Sequence, residues 1–525
     1  MSKINSKNLI AIIIVSFVLI SSNIGGLYIY ALDEAKNSSC AREMMEMDEW
    51  VVPTFNYELR TDKPPLHYYF MIGAYSIFGV NPFSARFFSL ILGVLTILCI
   101  WYLTSRYYGD RTSLYTSIIL LASLHYIIQF HMAVPDPYLI FFTTFGFVSF
   151  YIFYREKKSP YLLISYISFG LGVLVKGPVA IVLPGMAILV FLIFTRTFNW
   201  SYFLKLKPLW ILAVLVLVIA PWFIMVGIKT DGVWINDFFL RHNIARYTES
   251  MEGHGAIFLI TPLIAIIGLL PFSIFFVQAY RYGWINRTKD PLLLYAGIIS
   301  LTFIVFFAFS KTKLPNYTVP VYPFIALLIG RYLDVLQDSF LRFRKSIYTS
   351  LWIYLIIAVA LPFGLYTGIK LDPVLSEFRN LSFYFIIIPI GALLAILLIY
   401  NSRFKGMILS LSLSWIITIL LFFYIIFPKI DNANPVAKLL PSMDTEKPIA
   451  AYKIYNSAFS FYIKKPIPTF QTPEELDQYI RETEEGYILT RKVFNDEINQ
   501  VENIEIIGEA KDIFEIPTTV IYEIK

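Results

Sequence analysis

Residues 8–34 read NLIAIIIVSFVLISSNIGGLYIYALDE, an apolar run long enough to cross a bilayer as a helix, followed directly by the acidic pair Asp33-Glu34. Charge at the mouth of a membrane segment is costly to bury, at about 3 kcal/mol per group on insertion scales, so it often marks a site or a binding path. A solvated loop that begins with two acids explains the pair equally well. The other loops of the chain must decide between these interpretations.

The composition places the chain among membrane proteins. Hydrophobic residues make up 57% of the 525 residues, charged residues make up 15%, and the mean hydropathy is +0.64. A soluble chain of this length needs more charged surface. The pattern therefore predicts an all-α polytopic membrane protein with about thirteen transmembrane helices. The predicted spans are residues 8–30, 82–106, 112–129, 136–154, 161–175, 177–195, 208–228, 255–280, 291–309, 317–337, 347–369, 381–400 and 405–427.

Basic residues fall in every second connector, which predicts the orientation of the chain in the membrane. The N-terminus is then cytoplasmic, and an odd number of spans places the C-terminus outside. The first span is predicted to be an uncleaved anchor, because no convincing small-x-small site precedes Asp33. The basic connectors on the cytoplasmic side face anionic lipid and account for most of the net charge of +6, so no nucleic-acid partner is predicted. The basic connectors contain Lys3 and Lys7, Arg106 and Arg111, Arg155 to Lys158, Arg196 to Lys207, Arg281 to Lys289, Arg342 to Lys345, and Arg403 and Lys405.

The outer side carries nearly all of the unusual polar residues. Its largest loop, residues 31–81, contains an amphipathic stretch at 35–47 and an aromatic stretch at 65–78, and such segments can lie in the membrane interface. Two lysines in the stretch Ser310–Tyr317 oppose the positive-inside pattern and need a reason, such as a bound anion. The charged residues close to lipid on this side are Asp33, Glu34, Asp62, Lys63, Asp136, Arg246, Lys311 and Lys313.

Carboxylates and cations together at a membrane mouth suit glycosyl transfer from a lipid-phosphate sugar. A carboxylate orients or deprotonates a hydroxyl, or holds a divalent metal, whereas a cation holds phosphate as it leaves. Asp136 alone suits a helix N-cap equally well, and His242 alone is more often an interfacial polar residue. The sequence contains no Gly-rich phosphate loop, and its two cysteines, Cys40 and Cys99, predict no disulfide framework. No cofactor is assigned, and a divalent metal stays open.

As a set, these motifs resemble the bacterial membrane glycosyltransferases of the C-type fold, especially the lipid A aminoarabinose transferases. Their superfamily includes the dolichyl-phosphate-mannose protein mannosyltransferases. The resemblance implies an extracytoplasmic catalytic cavity, a polyprenyl (undecaprenyl) phosphate sugar donor, inversion at the anomeric carbon and no nucleotide requirement. It covers about residues 8–330 and rests on Leu32–Ala35, Asp62–Leu66, Ala85-Arg86, Asp136, Val175–Gly177, His242 with Arg246, and Ser310–Tyr317, in the family's order.

The resemblance also implies roles for individual residues. Asp33 would position or deprotonate the acceptor. The implied set is Asp33, Glu34 and Asp136 for catalysis, Lys36, Lys63, Arg246, Lys313 and Tyr317 for the donor phosphate, and Asp62, Lys311 and His242 for the rest of the pocket. Asp62 stands where the family often has Glu, and Lys36 where it often has Arg, which has a bidentate fork that lysine lacks. These departures leave the reaction class unchanged, but the aminoarabinose substrate is not carried over.

The chain is predicted to divide into a transmembrane glycosyltransferase domain, residues 1–430, and a small extracytoplasmic α/β domain, residues 431–525. Residues 31–81 would form the catalytic outer loop of the first domain. In the second, alternating residues predict strands at 508–515 and 518–524, and Thr472 is a candidate cap for a helix at 473–484. A structural role is favoured for this domain over acceptor recognition.

Three functions stay open on the sequence alone. The favoured one transfers a sugar to lipid A or another envelope glycolipid, in the inner membrane, with membrane lipids, the donor and the acceptor as partners. The same fold with a protein acceptor would be a protein O-glycosyltransferase. A lipid or sugar transporter is the third, although the two halves of the sequence show no convincing inverted repeat.

Overall fold

The structure, a computed structural model, describes residues 6–245 and 257–525, which are mostly helical. In this part of the chain, 9 helices are long and apolar enough to cross a membrane, or up to 11 if each of two bent helix pairs is one span. The bent pairs are Asp110–Leu121 with Leu124–Phe130, at 72°, and Ile260–Gly268 with Phe272–Ile285, at 115°. The long helices are Pro82–Tyr108, Asp136–Glu156, Ser159–Lys176, Pro208–Lys229, Pro291–Phe309, Pro315–Asp338, Phe340–Leu371, Leu375–Tyr400 and Phe404–Asp431.

Each predicted span overlaps an apolar helix of the structure. The bent pairs fall at the predicted spans 112–129 and 255–280, and two shorter helices, Ser6–Ile20 and Val179–Phe194, fall at the spans 8–30 and 177–195. The all-helical membrane architecture is therefore confirmed. The number of crossings stays a prediction, because the two shorter helices are below the roughly 20 residues that cross a bilayer.

The helices of the first part of the chain are labelled here in order. The helix Pro82–Tyr108 begins with a capping box, in which the side chains of Asn81 and Ser84 each accept from the other's backbone N–H, and Pro82 stands at its first position. The capping box therefore fixes the start of this helix, directly after the turn that follows the helix Leu66–Phe78. The helices are α1 (Ser6–Ile20), α2 (Leu32–Glu46), α3 (Leu66–Phe78), α4 (Pro82–Tyr108), α5 (Asp110–Leu121), α6 (Leu124–Phe130), α7 (Asp136–Glu156), α8 (Ser159–Lys176) and α9 (Val179–Phe194).

Helix α2 is buried on nearly all sides, which differs from the interfacial helix that its sequence suggested. The polar side chains of Asn37, Arg42 and Glu43 all lie inside the protein. Helix α2 contacts α3, the β1 strand and the C-terminal helix Ala458–Ile463, and these neighbours cover the faces that water or lipid would otherwise reach. A sequence with mixed polar and apolar residues cannot show that its polar face is covered by protein.

Glu43 organises a two-residue hairpin between the antiparallel strands β1 (Thr54–Phe55) and β2 (Glu58–Leu59). Its fully buried carboxylate accepts hydrogen bonds from Thr54 Oγ1 at 2.8 Å and from the backbone N–H groups of Asn56 at 3.0 Å and Tyr57 at 2.9 Å. Both turn residues have positive φ, 55° and 62°, as a type I′ turn requires. Because this conformation is unfavourable for tyrosine, the buried carboxylate is what holds the turn.

The C-terminal residues form a five-stranded mixed sheet in the order β4-β3-β5-β7-β6. Strand β3 pairs in parallel with β4 and β5, whereas β7 is antiparallel to β5 and β6. The small C-terminal α/β unit is thereby confirmed, although its parallel strands were not predicted. The strands are β3 (Ile449–Tyr452), β4 (Thr469–Phe470), β5 (Gly486–Arg491), β6 (Ile504–Lys511) and β7 (Thr518–Ile524).

Two local predictions in this unit have different outcomes. The helix Pro473–Arg481 begins with a capping box between Thr472 and Glu475, which confirms the predicted cap. The predicted strand at 508–515 is wrong at its end, because β6 stops at Lys511. The backbone N–H of Asp512 donates to the carbonyl of Pro517 at 3.0 Å and closes a loop instead.

The two faces of the sheet pack against different partners. Tyr487 and Leu489 of β5 share a hydrophobic cluster with Tyr68 and Met71 of α3. The intervening Ile488 faces the opposite cluster, with Leu476 and Ile480 of the helix Pro473–Arg481. The sheet is therefore built onto the helices that carry the candidate site.

The remaining helical segments connect the membrane helices or belong to the C-terminal unit. They are Trp200–Lys205, Val233–Asn236, the π-helix Asp237–Ala245, Pro435–Leu439, Leu440–Ser442, Ala458–Ile463, Lys492–Phe494 and Asn495–Ile498.

Candidate functional site

The acidic pair opens helix α2, and the helix separates its two members. Consecutive residues of an α-helix point about 100° apart, so the two carboxylates cannot share one surface. Asp33 is exposed, whereas Glu34 is only 3% exposed. Both lie in the first turn of the helix, where the helix dipole favours a negative charge. Asp33 is the member that a substrate can reach.

Glu34 forms a buried, bidentate ion pair with Arg86 of α4. Its carboxylate accepts from Arg86 Nε at 2.7 Å and Nη2 at 2.9 Å, and from the backbone N–H of Ala133 at 2.8 Å. The guanidinium also donates to the carbonyls of Ile24, Leu27 and Tyr28 at 2.8–3.0 Å. This geometry gives Glu34 a structural position, joining α2, α4 and the segment before α7, and its predicted catalytic role stays a prediction.

Asp136 and Lys176 form a second ion pair, at the start of α7 and the end of α8. Lys176 Nζ lies 2.6 Å from Asp136 Oδ1, and the two side chains are 16% and 6% exposed. The same ammonium group stands 5.6 Å from the ring centroid of Tyr317. The structure thus brings Asp136 together with Tyr317 through a lysine between them. The competing N-cap interpretation fails, because Asp136 lies inside the helix and Pro135 occupies the cap.

Lys63 lies close to the same region. It is 8% exposed, and it follows Arg60, whose Nε is 3.3 Å from Asp62 Oδ2. Burial holds the pKa of His67 well below its usual value, and the positive charges of Arg60, Lys63 and Lys176 lower it further. The imidazole of His67 is therefore held neutral, and the charges of these three cations all act on it.

The remaining acids of the predicted site, Asp33 and Asp62, both act on the guanidinium of Arg60. Burial alone would lower the pKa of Arg60, but Tyr68, Asp62, Cys40 and Asp33 together raise it above its usual value. Asp33 and Asp62 therefore both act on the same guanidinium. The site combines an exposed carboxylate at the start of α2 with buried cations in the segment between β2 and α3 and at the end of α8.

The helix Pro208–Lys229 and the helical segment that follows it, to residue 245, pack against the loop of residues 31–81. Trp222 Nε1 donates to the carbonyl of Val51 and Trp234 Nε1 to that of Arg60, both at 3.0 Å. Lys229 pairs with Glu49 at 2.7 Å. These contacts place the π-helix Asp237–Ala245 beside the segment that carries Lys63.

Other predicted residues stand around this centre. Lys313 Nζ donates to the carbonyl of Ser310 at 2.6 Å, Lys311 is exposed, and the Tyr317 ring stacks on Phe307 at 4.4 Å. Lys36 is half-buried, with its Nζ 5.9 Å from the centroid of the Phe55 ring. The structure shows no direct contact of Lys36, Lys311 or Lys313 with the Asp136–Lys176 pair among its described contacts.

Two predicted residues receive no structural account. Arg246 lies outside the described residues, and His242 lies in a described helix without a described side chain. Within residues 6–245 and 257–525, no group of three or more His, Cys, Asp or Glu could hold a metal ion. The divalent metal left open by the sequence thus finds no ligand set in this part of the chain.

The chain was compared with protein families, curated proteins and solved structures. Residues 62–225 match the family model of dolichyl-phosphate-mannose-protein mannosyltransferases. The chain is 26% identical over 356 residues to an uncharacterized protein of Aquifex aeolicus, and this match covers 67% of this chain and 68% of that protein. It is 28% identical over 317 residues to the undecaprenyl phosphate-alpha-4-amino-4-deoxy-L-arabinose arabinosyl transferase of Aeromonas hydrophila, covering 59% of this chain and 57% of that enzyme.

The fold has a close counterpart among solved structures. It matches the crystal structure of ArnT from Cupriavidus metallidurans bound to undecaprenyl phosphate with a TM-score of 0.83 and 19% identity, over 99% of this chain and 98% of that one. Together these matches make the chain similar to the C-type membrane glycosyltransferases. The predicted superfamily, the membrane fold and the assignment as a glycosyltransferase are confirmed.

In this C-type glycosyltransferase, sequence reasoning missed two cations of the site. Lys176 was only part of a matching stretch, and Arg60 was not singled out. Lys176 could have been found, because it stands in a predicted outer connector and opposes the positive-inside pattern, as Lys311 and Lys313 do. Arg60 lies in the predicted outer loop 31–81 with Lys36, Arg42 and Lys63, and nothing in the sequence distinguishes it from these other basic residues.

Proposed function

We propose that this glycosyltransferase moves a sugar, with inversion, from a polyprenyl-phosphate donor to an acceptor of the cell envelope. The proposed donor is an undecaprenyl-phosphate sugar, and the proposed acceptor is lipid A or another glycolipid. The curated relative from Aeromonas hydrophila is named for an undecaprenyl-phosphate sugar, and the matching ArnT crystal structure holds undecaprenyl phosphate. These names support the donor class and leave the sugar open.

The proposed location is the inner membrane, with the N-terminus in the cytoplasm and the C-terminus outside. We also propose the division into a transmembrane domain, residues 1–430, and an outer α/β domain, residues 431–525. The alternating basic connectors support the orientation. The C-terminal sheet packs on α3, which belongs to the loop that carries Asp33 and Lys63. This packing supports the same, outer side of the membrane for the loop and for the C-terminal domain.

The observation that carries the proposal is the Asp136–Lys176 ion pair beside the Tyr317 ring, together with the buried Lys63 and the exposed Asp33 of the preceding loop. Lysine side chains at such a site suit a phosphate that gains negative charge as it leaves. In the proposed step, the acceptor oxygen attacks the anomeric carbon and forms the new glycosidic bond. The bond from that carbon to the phosphate oxygen breaks, and its electron pair leaves with the polyprenyl phosphate.

The acceptor proton must go to a base in this step, and Asp33 is the proposed base. Asp136 is already paired with Lys176, so it would hold the lysine in place and orient the acceptor instead. Direct attack by the acceptor inverts the anomeric carbon, because no enzyme nucleophile intervenes. The proposed donor-phosphate ligands are Lys63, Lys36, Arg246, Lys313 and Tyr317, with Asp62, His242 and Lys311 in the rest of the pocket.

The experiment that tests the proposal is mass spectrometry of lipid A and other envelope glycans in a deletion strain. The strain is complemented with wild type, Asp33→Asn or Glu58→Gln. Glu58 is an exposed carboxylate of the same loop, in strand β2, and serves as the matched control. We expect a sugar mass that is lost on deletion and restored by wild type and Glu58→Gln, but not by Asp33→Asn.

The same experiment separates the competing functions. A sugar found on secreted protein, with unchanged lipid A, would make the enzyme a protein O-glycosyltransferase. An unchanged glycan and lipid profile would contradict sugar transfer, and tracer uptake by proteoliposomes without a covalent product would then show a transporter. Wild-type transfer by Asp33→Asn would remove the proposed base and leave the enzyme class intact.

A further inference from the structure

The loop between β6 and β7, residues 512–517, presents large apolar side chains on its outside. Phe514 is 63% exposed and Ile516 is 93% exposed. Among the large apolar side chains that the structure describes, none is more exposed than Ile516. An isolated exposed side chain of this kind is normal, but two of them on one loop beside a membrane site need a partner. We call this segment the β6–β7 loop.

The base of the β6–β7 loop is firmly held, so the exposed tip has a defined position. Asp512 is fully buried, and its carboxylate accepts from Asn456 Nδ2 at 3.0 Å and Thr519 Oγ1 at 2.7 Å and pairs with Arg491. Its backbone N–H closes the loop onto Pro517. A buried carboxylate with this many partners fixes the backbone on both sides of the tip.

The loop lies where the first and last membrane segments leave the bilayer. Ile513 is 1% exposed and belongs to the hydrophobic cluster of the membrane helices, together with Ile430 near the end of the last span. Its backbone N–H donates to Tyr30 OH at 3.1 Å. The backbone N–H of Tyr28 donates to Asp431 Oδ2 at 2.7 Å and joins the two membrane segments directly.

This position also adjoins the proposed catalytic residue. Tyr30 precedes Asp33 by three positions, a distance of at most about 10 Å along the chain. Leu32, between them, is itself 39% exposed. The exposed apolar side chains of the β6–β7 loop thus stand at the edge of the site, at the level of the membrane surface.

We propose that the β6–β7 loop is a membrane-contacting loop, in which Phe514 and Ile516 insert into the interface of the outer leaflet beside Asp33. An aromatic and an aliphatic side chain at the end of a rigid turn gain free energy by leaving water for the headgroup and acyl boundary. Glu515 lies between them and keeps the insertion shallow, because a carboxylate is costly to place deeper in lipid. The membrane itself is the partner, and the contact does not depend on which sugar or acceptor the enzyme uses.

The test is the lipid or water exposure of a nitroxide spin label on the loop, in full-length protein reconstituted into nanodiscs. Cys40 and Cys99 are first replaced by alanine, and Ile516→Cys and Phe514→Cys are labelled separately. Val493→Cys is the matched control, because Val493 is 78% exposed and belongs to the same C-terminal unit. Leu217→Cys is the lipid reference, since Leu217 is 74% exposed within the helix Pro208–Lys229.

Collision of the label with oxygen, which prefers lipid, is compared with collision with a water-soluble nickel complex. We expect the oxygen-to-nickel ratio at residues 514 and 516 to be several-fold higher than at residue 493 and closer to that at residue 217. Ratios at both loop positions equal to that at residue 493 would place the loop in water and overturn the proposal. Two independent positions keep the test valid if one variant folds poorly, and neither readout requires transferase activity.

Discussion

Breaking the ion pair between Glu34 and Arg86 should destabilise the protein strongly without removing a catalytic group. Both side chains are 4% exposed, and each has further backbone partners. Removal of one partner from a buried pair costs about 3–5 kcal/mol, because the remaining charge is left buried and uncompensated. We expect Glu34→Gln and Arg86→Met each to lower the free energy of unfolding by about that amount. The double variant buries neither charge, so it should lose less than the sum of the two.

The assay is unfolding of the purified protein in mixed micelles with increasing denaturing detergent, followed by circular dichroism. Lys465→Met is the control, because its pair with Glu446 is exposed, at 44% and 84% of the two side chains, and such pairs contribute less than about 1 kcal/mol. A loss below about 1 kcal/mol in Glu34→Gln, or strictly additive losses in the double variant, would refute the structural role. Activity per folded molecule should survive in Glu34→Gln and disappear in Asp33→Asn.

Two further predictions concern the cations of the site. Lys63→Met should lower kcat/KM for a polyprenyl-phosphate donor by about 10- to 100-fold, because a hydrogen bond to a charged group contributes about 1.5–3 kcal/mol. Transfer rates measured over a range of donor concentrations check this, with Lys465→Met as the control. An unchanged kcat/KM would exclude Lys63 from the donor site. The pKa of His67 is lower in the folded protein than in the unfolded chain. As the pH falls below about 6.5, the unfolded chain therefore binds the proton first, and the free energy of unfolding decreases by about 1 kcal/mol per pH unit. His67→Gln should remove this part of the pH dependence when unfolding is measured at about pH 7 and about pH 5, and an identical slope in both proteins would contradict the buried, neutral His67.

Much of the membrane architecture could be predicted, because the bilayer imposes a local rule on sequence. A helix must satisfy its own backbone groups and be apolar over its length, so each segment can be recognised without its neighbours. The cap at Thr472 and the strand Thr518–Ile524 were predictable for the same reason, since capping and alternation involve residues close in sequence. The parallel strand β3 was not, because its pairing with β5 joins residues that lie far apart in the chain.

The candidate site was predictable only as a set of residue types. The sequence showed acids and cations on one predicted side of the membrane, and the resemblance ordered them. It could not show that Asp33 faces outward while Glu34 is neutralised by Arg86, because helix direction and burial depend on α4 and on the segment before α7. Nor could it show that Lys176 reaches Asp136, since that contact joins the ends of two different helices.

Composition and hydropathy alone specify the class of protein, the order of its apolar segments and the residue types available at the predicted outer side, because hydrophobicity and charge act through local composition. Only the packing of the chain specifies which carboxylate is exposed, which cations act on His67 and how the C-terminal sheet joins α3. These depend on contacts between residues distant in the chain, such as Tyr30 with Ile513. Their free energies arise from burial and pairing, which exist only once the helices and the sheet have packed together.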